Sequence, residues 1–282
     1  MMGTVLQDTG YSVETLSGVL TSSRDFLRPL RWEGPGGDVN RRGMKKFQET
    51  VGFSAHILHK IKDILDDDPV FLECSCGKSY LTFALNRILR ELYGVECTFY
   101  GVDISESLIG KCRGIAASLG FDNMSFTAGQ TLGFNAPIGK KVDVVVALHA
   151  CDSATDEAIA RGIKLGARYI MVVPCCQNQL RGQIRSAQAL HDLTDFGPLL
   201  YRFADLVTEA LRAQVLRGAG YYVEFHEIVP PTVTPKNLVI TARMMRSGKK
   251  KGMDGYRRLC NQLGVRSILE DFLPELFNGE NG

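Results

Sequence analysis

The stretch Pro69-Val-Phe-Leu-Glu-Cys-Ser-Cys-Gly-Lys-Ser-Tyr-Leu-Thr-Phe-Ala-Leu85 decides the fold of this 282-residue chain. An apolar run ending in an acid predicts a buried strand over Pro69–Glu73. Cys74–Lys78 reads as a turn, after which Leu81, Ala84, Leu85, Ile88, Leu89 and Leu92 recur at helical spacing. Cys97–Val102 predicts the next strand, ending at Asp103, and Leu108, Cys112, Ile115, Ala116 and Leu119 mark the next helix. The alternation continues through strands at Met124–Thr127, Val142–Leu148 and Tyr169–Val173, with a helix over Ala154–Lys164. Strands separated by helices of this length imply βαβ units and a parallel sheet. The end of the chain departs from the pattern. A helix over Tyr201–Arg217 leads into Tyr221–Val229 and Asn237–Met244, joined through Pro230-Pro231, which predicts an antiparallel pair closing the sheet. Upstream, Val51, Ala55, Leu58, Ile61 and Leu65 predict a helix over Lys45–Leu65, with His56 and His59 as ordinary helix residues. Residues 1–43 are weakly patterned, and Gly252–Glu275 is expected to be helical at its far end.

Hydrophobic residues at 45% and charged residues at 23% exclude bulk disorder. No apolar stretch approaches the ~20 residues of a membrane helix. The start shows neither a basic nor an apolar leader region, so a cytoplasmic protein without membrane attachment is expected. The net charge of +2 conceals a pattern. Arg24–Lys46 carries +4 and Met245–Arg258 carries +5, leaving −7 for the rest. An acidic body with basic flanks fits a polyanion gripped at its edges, although a charge run alone reads more readily as a solvated loop. Trp32 and Tyr256 lie among the basic residues; two isolated aromatics are not a base-stacking platform. The eight cysteines have neither the context of a disulfide framework nor the Cys-x2-Cys spacing of a zinc site, so free thiols and no metal are expected.

In an open α/β sheet, ligands bind beyond the carboxyl ends of the strands. Strand one ends in Glu73-Cys-Ser-Cys-Gly-Lys-Ser79. A P-loop would need glycine at the position of Leu72, and a dinucleotide fingerprint would need three glycines. An acidic loop of small residues remains. Small residues bring backbone amides close to a ligand at a helix N-terminus, and Asp103, ending strand two, suits a ribose.

The runs Cys76–Leu85, Gly101-Val-Asp103, Ala147–Asp156, Pro174-Cys-Cys-Gln177 and Thr234-Pro-Lys-Asn237 together resemble a family of class I S-adenosylmethionine-dependent methyltransferases. The motifs at the fourth and fifth strand ends are similar to those of eukaryotic tRNA ribose 2′-O-methyltransferases. The resemblance covers about residues 45–245 and implies a Rossmann-like fold: a seven-stranded, mostly parallel sheet with an antiparallel last strand. The chain then divides into a basic extension (1–44), the cofactor-binding domain (45–246) and a basic linker with a C-terminal helix (247–282). S-adenosylmethionine is the implied cofactor, held by Glu73, Ser75, Gly77, Lys78, Asp103, Ile104, Gly129, Gln130 and Leu148. Two positions depart from the family pattern. Ser75 replaces the usual glycine, and Gln130 stands where an acid often holds the adenine amino group, a bond its amide oxygen can also make.

His149, Asp152 and Cys175 are the candidate catalytic residues. A histidine after strand four can take a hydroxyl proton, and a cysteine after strand five could attack a base. Asp152 or Ser153 reads equally as a helix cap. Lys236, Asn237, Arg41 and Arg42 are candidate substrate contacts, Lys236 to a phosphate. The expected activity is methyl transfer to RNA, with a ribose 2′-hydroxyl as the finer expectation. A small-molecule or protein methyltransferase and a non-catalytic cofactor-binding subunit are the alternatives.

Overall fold

In a computed structural model, residues 11–187, 190–245 and 252–278 are described. Seven strands there form one sheet in the order β3-β2-β1-β4-β5-β7-β6. They are β1 (Val70–Cys74), β2 (Thr98–Asp103), β3 (Met124–Ala128), β4 (Val144–Leu148), β5 (Tyr169–Val173), β6 (Tyr221–Glu227) and β7 (Leu238–Met244). The pairs among β1 to β5 are parallel, and β7 runs antiparallel to both β5 and β6. The strand order reverses between β1 and β4, which is where such sheets open for ligands.

Side-chain alternation builds two cores. Phe71, Val144, Val146, Met171 and Val173 pack on one face of the sheet. Their neighbours Leu72, Val145, Ala147, Ile170 and Val172 pack on the other. Every residue of β1 and β5 is buried, as expected for central parallel strands covered on both sides. Each large aliphatic side chain buried this way contributes roughly 1.5–3 kcal/mol.

On the first face lie α1 (Val13–Thr21), α2 (Arg24–Leu27), α3 (Arg41–Lys60), α4 (Tyr80–Ile88) and α5 (Glu106–Leu119). The weakly patterned start of the chain therefore holds two helices that periodicity missed. Leu16, Leu20, Phe26 and Leu27 are each at most 1% exposed. Asn40 caps α3 by accepting from the Gly43 amide. Gly52 lets α3 close on the sheet: a Cβ there would stand 2.1 Å from the Ile228 carbonyl oxygen. A 3₁₀ segment, Lys62–Asp67, replaces the last predicted turns of that helix.

The second face carries α6 (Ser153–Leu165) and α9 (Gly197–Gly218). Between β5 and α9 stand the short α7 (Arg181–Ser186) and α8 (His191–Thr194). After β7 the helical part comes early rather than late. α10 (Met253–Leu263) is followed by only the single turns α11 (Leu269–Phe272) and α12 (Pro274–Phe277). Gly264, at φ +63, ends α10, and Pro274 opens a fresh turn instead of extending an old one.

Trp32 and Tyr256 of the basic segments are core residues. Trp32 is 1% exposed and stacks on Tyr80, and Tyr256 is 2% exposed and donates to Glu270. Neither is presented to a base. No helix among the described residues is long and apolar enough to cross a membrane.

Candidate active site

The loops after β1, β2 and β3 are fastened to one another at the carboxyl end of the sheet. Parallel pairing sets Glu73 beside Gly101 of β2 and Val146 of β4. The Cys76 amide donates to the Val102 carbonyl at 3.0 Å, and the Gly129 amide to the Asp103 carbonyl at 2.9 Å. Asp103 is the hub. Its Oδ2 accepts from the Gly77 amide at 2.8 Å, and its Oδ1 from the Ser105 amide at 2.9 Å. Two motifs 26 residues apart thus meet through one carboxylate. Gly101 makes room for this arrangement, since a Cβ there would lie 2.6 Å from the Phe126 ring and 3.2 Å from the Cys76 sulfur.

Glu73 is 3% exposed, and its Oε2 accepts from Ser79 Oγ at 2.5 Å and Thr82 Oγ1 at 2.7 Å. The acid therefore pins the first turn of α4. That pairing gives Ser79 a purpose unrelated to the chance resemblance of Gly77-Lys78-Ser79 to a phosphate loop. Burial pushes the Glu73 carboxyl up to about 7, against the opposing pull of the Ser79 and Thr82 hydrogen bonds. Ser75 has φ +50, the left-handed region that favours glycine. The replacement noted in the sequence thus falls where glycine would relax the backbone. Lys78 lies over the Tyr80 ring, with Nζ 5.8 Å from its centroid. Leu148 is half-buried against the core, and Gln130 is exposed at the start of a 3₁₀ turn.

Beyond β4 the chain turns sharply. His149 (φ +61) and Asp152 (φ +52) are both left-handed, and such strain in residues other than glycine gathers at functional sites. His149 Nε2 stands 3.0 Å from Oε2 of Glu49, which comes from α3, 100 residues earlier. Glu49 is 1% exposed, with Lys46 at 3.5 Å and Lys45 at 4.0 Å. Burial would raise its pKa, but the hydrogen bond and charge of His149, with Lys46 and Lys45 behind them, hold it below its ordinary value. Glu49 thus holds the ring through Nε2 and orients it. Sequence reading missed Glu49 because nothing local marks a helix acid whose partner is so distant.

Asp152 does not cap α6, which has no side-chain cap. Its Oδ1 accepts from the Asn178 and Gln179 amides at 2.8 and 3.0 Å, and its own amide donates to the Cys176 carbonyl. The acid ties the β4 loop to the β5 loop. Arg212 on α9 is fully buried, pairs with Asp156 at 2.6 Å and donates to the Asp152 carbonyl at 3.0 Å. Cys175 is half-buried with its sulfur 2.8 Å from that of Cys151. Burial, and then the Cys151 thiol, push its pKa up, so it is a weak nucleophile in this state.

The four candidate substrate contacts fall on two segments of the chain. Arg41 and Arg42 are exposed at the N-terminus of α3. Lys236 is paired with Asp205, and Asn237 is 5% exposed and donates to the Val229 carbonyl, closing the β6–β7 connection. In the second basic segment, 246–251 lie outside the described residues, so Arg246 and Lys249–Lys251 have no place in this geometry. Arg257 and Arg258 are exposed on α10.

Residues 45–183 match the model of a family described as a methyltransferase domain. That match spans just under half of the chain. The residues present fit S-adenosylmethionine, the cofactor that the sequence resemblance implies. A Cβ at Gly77 (φ +56) would meet nothing within 4 Å, so the loop presents open backbone. Beside it Ile104 is 80% exposed, an uncovered apolar surface of the kind a base can lie on, next to an acid suited to a ribose.

Among solved structures, an rRNA methylase from Streptococcus thermophilus is 11% identical at a TM-score of 0.42, covering 73% of this chain and 98% of that one. Magnesium protoporphyrin IX methyltransferase from Synechocystis, with bound SAH, is 18% identical at a TM-score of 0.44, covering 83% and 100%. Fibrillarin from Methanococcus jannaschii, a pre-rRNA processing protein, is 15% identical at 0.40, covering 63% and 66%. None of these likenesses identifies the substrate of this chain. No curated protein matches the sequence.

Proposed function

We propose that this protein is an S-adenosylmethionine-dependent methyltransferase acting on RNA, at a ribose 2′-hydroxyl, with His149 as the base and Glu49 as the residue that positions it. The observation that carries the reading is the Glu49–His149 pair, 3.0 Å apart at the end of β4 and next to the switch point of the sheet. A hydroxyl is a poor nucleophile until its proton is shared, and an imidazole held in one tautomer by a buried carboxylate suits that task. S-adenosylmethionine supplies an electrophilic methyl group on a positively charged sulfur. Gly77, Asp103 and Ile104 would hold it, with Glu73 keeping the loop in place and Gln130 within the β3 loop. Transfer of the methyl group to the hydroxyl oxygen would break its bond to sulfur and leave a neutral thioether, while His149 would take the hydroxyl proton and Glu49 would stabilise the imidazolium.

The RNA part of the reading rests on charge. Arg41, Arg42 and Lys45 stand on the helix that carries Glu49, within about two turns or ~10 Å of the dyad. A phosphate backbone crossing this end of α3 would bring a ribose to the strand ends. The test is methyl transfer from labelled cofactor to total RNA, followed by ribonuclease and by alkali. A 2′-O-methyl group blocks alkaline cleavage, so label retained in alkali-resistant dinucleotides supports the reading. Label confined to alkali-labile mononucleotides, or found in protein or small molecules and absent from RNA, contradicts it.

A further inference from the structure

Beside the dyad the β4 and β5 loops bring three thiols together. Cys151 follows β4, and Cys175 and Cys176 follow β5. Their sulfur atoms all lie within 4.8 Å of one another, with Cys151 to Cys175 at 2.8 Å and Cys175 to Cys176 at 3.9 Å. Cys151 is exposed and the other two are half-buried, so the group is open to solvent from one side. The cluster is also held from outside. The Asp152 amide donates to the Cys176 carbonyl, its carboxylate takes the Asn178 and Gln179 amides, and Arg212 holds the Asp152 carbonyl.

We propose that Cys151, Cys175 and Cys176 form a binding site for a soft, thiolate-seeking cation of the zinc(II) class, with its fourth position open. Zinc–thiolate bonds of about 2.3 Å place sulfurs roughly 3.8 Å apart. The separations found here bracket that value, and rotation about the side-chain torsions closes the difference. The donor set selects the ion. Three sulfurs without a carboxylate or carbonyl ligand disfavour magnesium and calcium and favour zinc and its soft neighbours. Each thiol gives its proton to solvent as its sulfur–metal bond forms, and no oxidant or reductant is needed. His149 Nε2 is held by Glu49 and Asp152 Oδ1 by two amides, and among the described residues only the three sulfurs converge, so the fourth position is open to water or a substrate atom. The spacing argument missed this site because its ligands come from two loops 24 residues apart, not from a local Cys-x2-Cys pair. A bound ion would clamp the β4 loop to the β5 loop and fix the left-handed turn at His149. Cys151 and Cys175 Sγ each lie 3.7 Å from the His149 carbonyl oxygen.

The full-length protein, stripped with a chelator and kept reduced, is titrated with Zn²⁺, and with Co²⁺ as the spectroscopic probe. One ion per chain, with a thiolate-to-cobalt charge-transfer band, is expected. Cys151→Ser and Cys176→Ser should each weaken Zn²⁺ binding on the order of 100-fold, because a three-ligand site loses a third of its donors. Cys260→Ser should not change it. Alkylation of the unmutated protein gives a second reading that survives misfolding of any variant: Zn²⁺ should shield Cys151, Cys175 and Cys176 and leave Cys260 reactive. Absence of Zn²⁺ uptake at micromolar concentrations, a cobalt spectrum without a thiolate band, or equal alkylation with and without Zn²⁺ would each overturn the proposal. It does not depend on the RNA reading, since none of these measurements involves a substrate.

Discussion

The two halves of the site are built differently. On the β1–β3 side, neighbouring loops are joined by contacts that span at most 26 residues: Asp103 takes the Gly77 and Ser105 amides, and Glu73 takes Ser79 and Thr82. On the β4–β5 side, the loops are held from farther along the chain. Glu49 reaches His149 from α3, and Arg212 reaches Asp152 from α9. The first half is a scaffold that a short sequence motif can specify. The second is assembled only when the whole domain folds, and its strained turns at His149 and Asp152 are sustained by that assembly.

The largest expected effect falls on the assembled half. Glu49→Gln keeps the side chain's shape but removes the charge that holds the imidazole. Methyl transfer should slow by about 10²–10⁴-fold in kcat while the KM for cofactor holds. Equal loss in both halves of the site would erase the distinction drawn between them.

Asp103→Ala acts on the scaffold. It removes the acceptor of two backbone amides and the candidate ribose contact, so cofactor affinity should fall by about 10–100-fold in a calorimetric titration. Unchanged affinity would remove Asp103 from the cofactor site.

A smaller effect separates the two halves by pH. The Glu73 carboxyl titrates at about 7 in the folded protein against an ordinary value of 4.5. The native state therefore binds more protons than the unfolded one between these values, and the Glu73 contribution to stability declines as pH rises through that window. Glu49 has the opposite sign: its lowered pKa stabilises the fold above its ordinary value and is lost on acidification. Denaturant midpoints measured from pH 4.5 to 7 should fall less steeply, or rise more steeply, in Glu73→Gln than in the unmutated protein. Parallel curves would contradict the assignment.

The smallest effect is expected at Ser75. Its φ of +50 costs about 1–2 kcal/mol in a residue with a Cβ, and glycine returns part of that as added unfolded-state entropy. Ser75→Gly should therefore raise stability by no more than about 1 kcal/mol, read as a small rise in Tm.

The same contrast explains what was legible in the sequence. The alternation from Val70 to Val173 is local periodicity, and the predicted strands agree with the observed ones to within about two residues at each end. The closing antiparallel pair was legible too, because Pro230-Pro231 leaves no room for a crossover helix. The short helices α1 and α2 were not, since their few apolar residues become a pattern only when packed against α3 and α4. Trp32 and Tyr256, which the sequence does not offer as a base-stacking platform, are buried aromatics within charged surroundings. Of the candidate site, the meeting of Gly77 with Asp103 was readable from strand ends and small residues. Glu49 was not, because a buried acid on an amphipathic helix has no local signature until its partner is known.

The central claim is that Glu49 and His149 serve proton removal from an RNA ribose hydroxyl. Transfer of labelled methyl groups into alkali-resistant dinucleotides of RNA tests it most directly, with the unmutated protein and Glu49→Gln compared at saturating cofactor. The account predicts label in that fraction for the unmutated protein and its reduction by about 10²-fold or more for the variant. Equal incorporation by both proteins, or label absent from RNA while protein or small molecules become labelled, would contradict it.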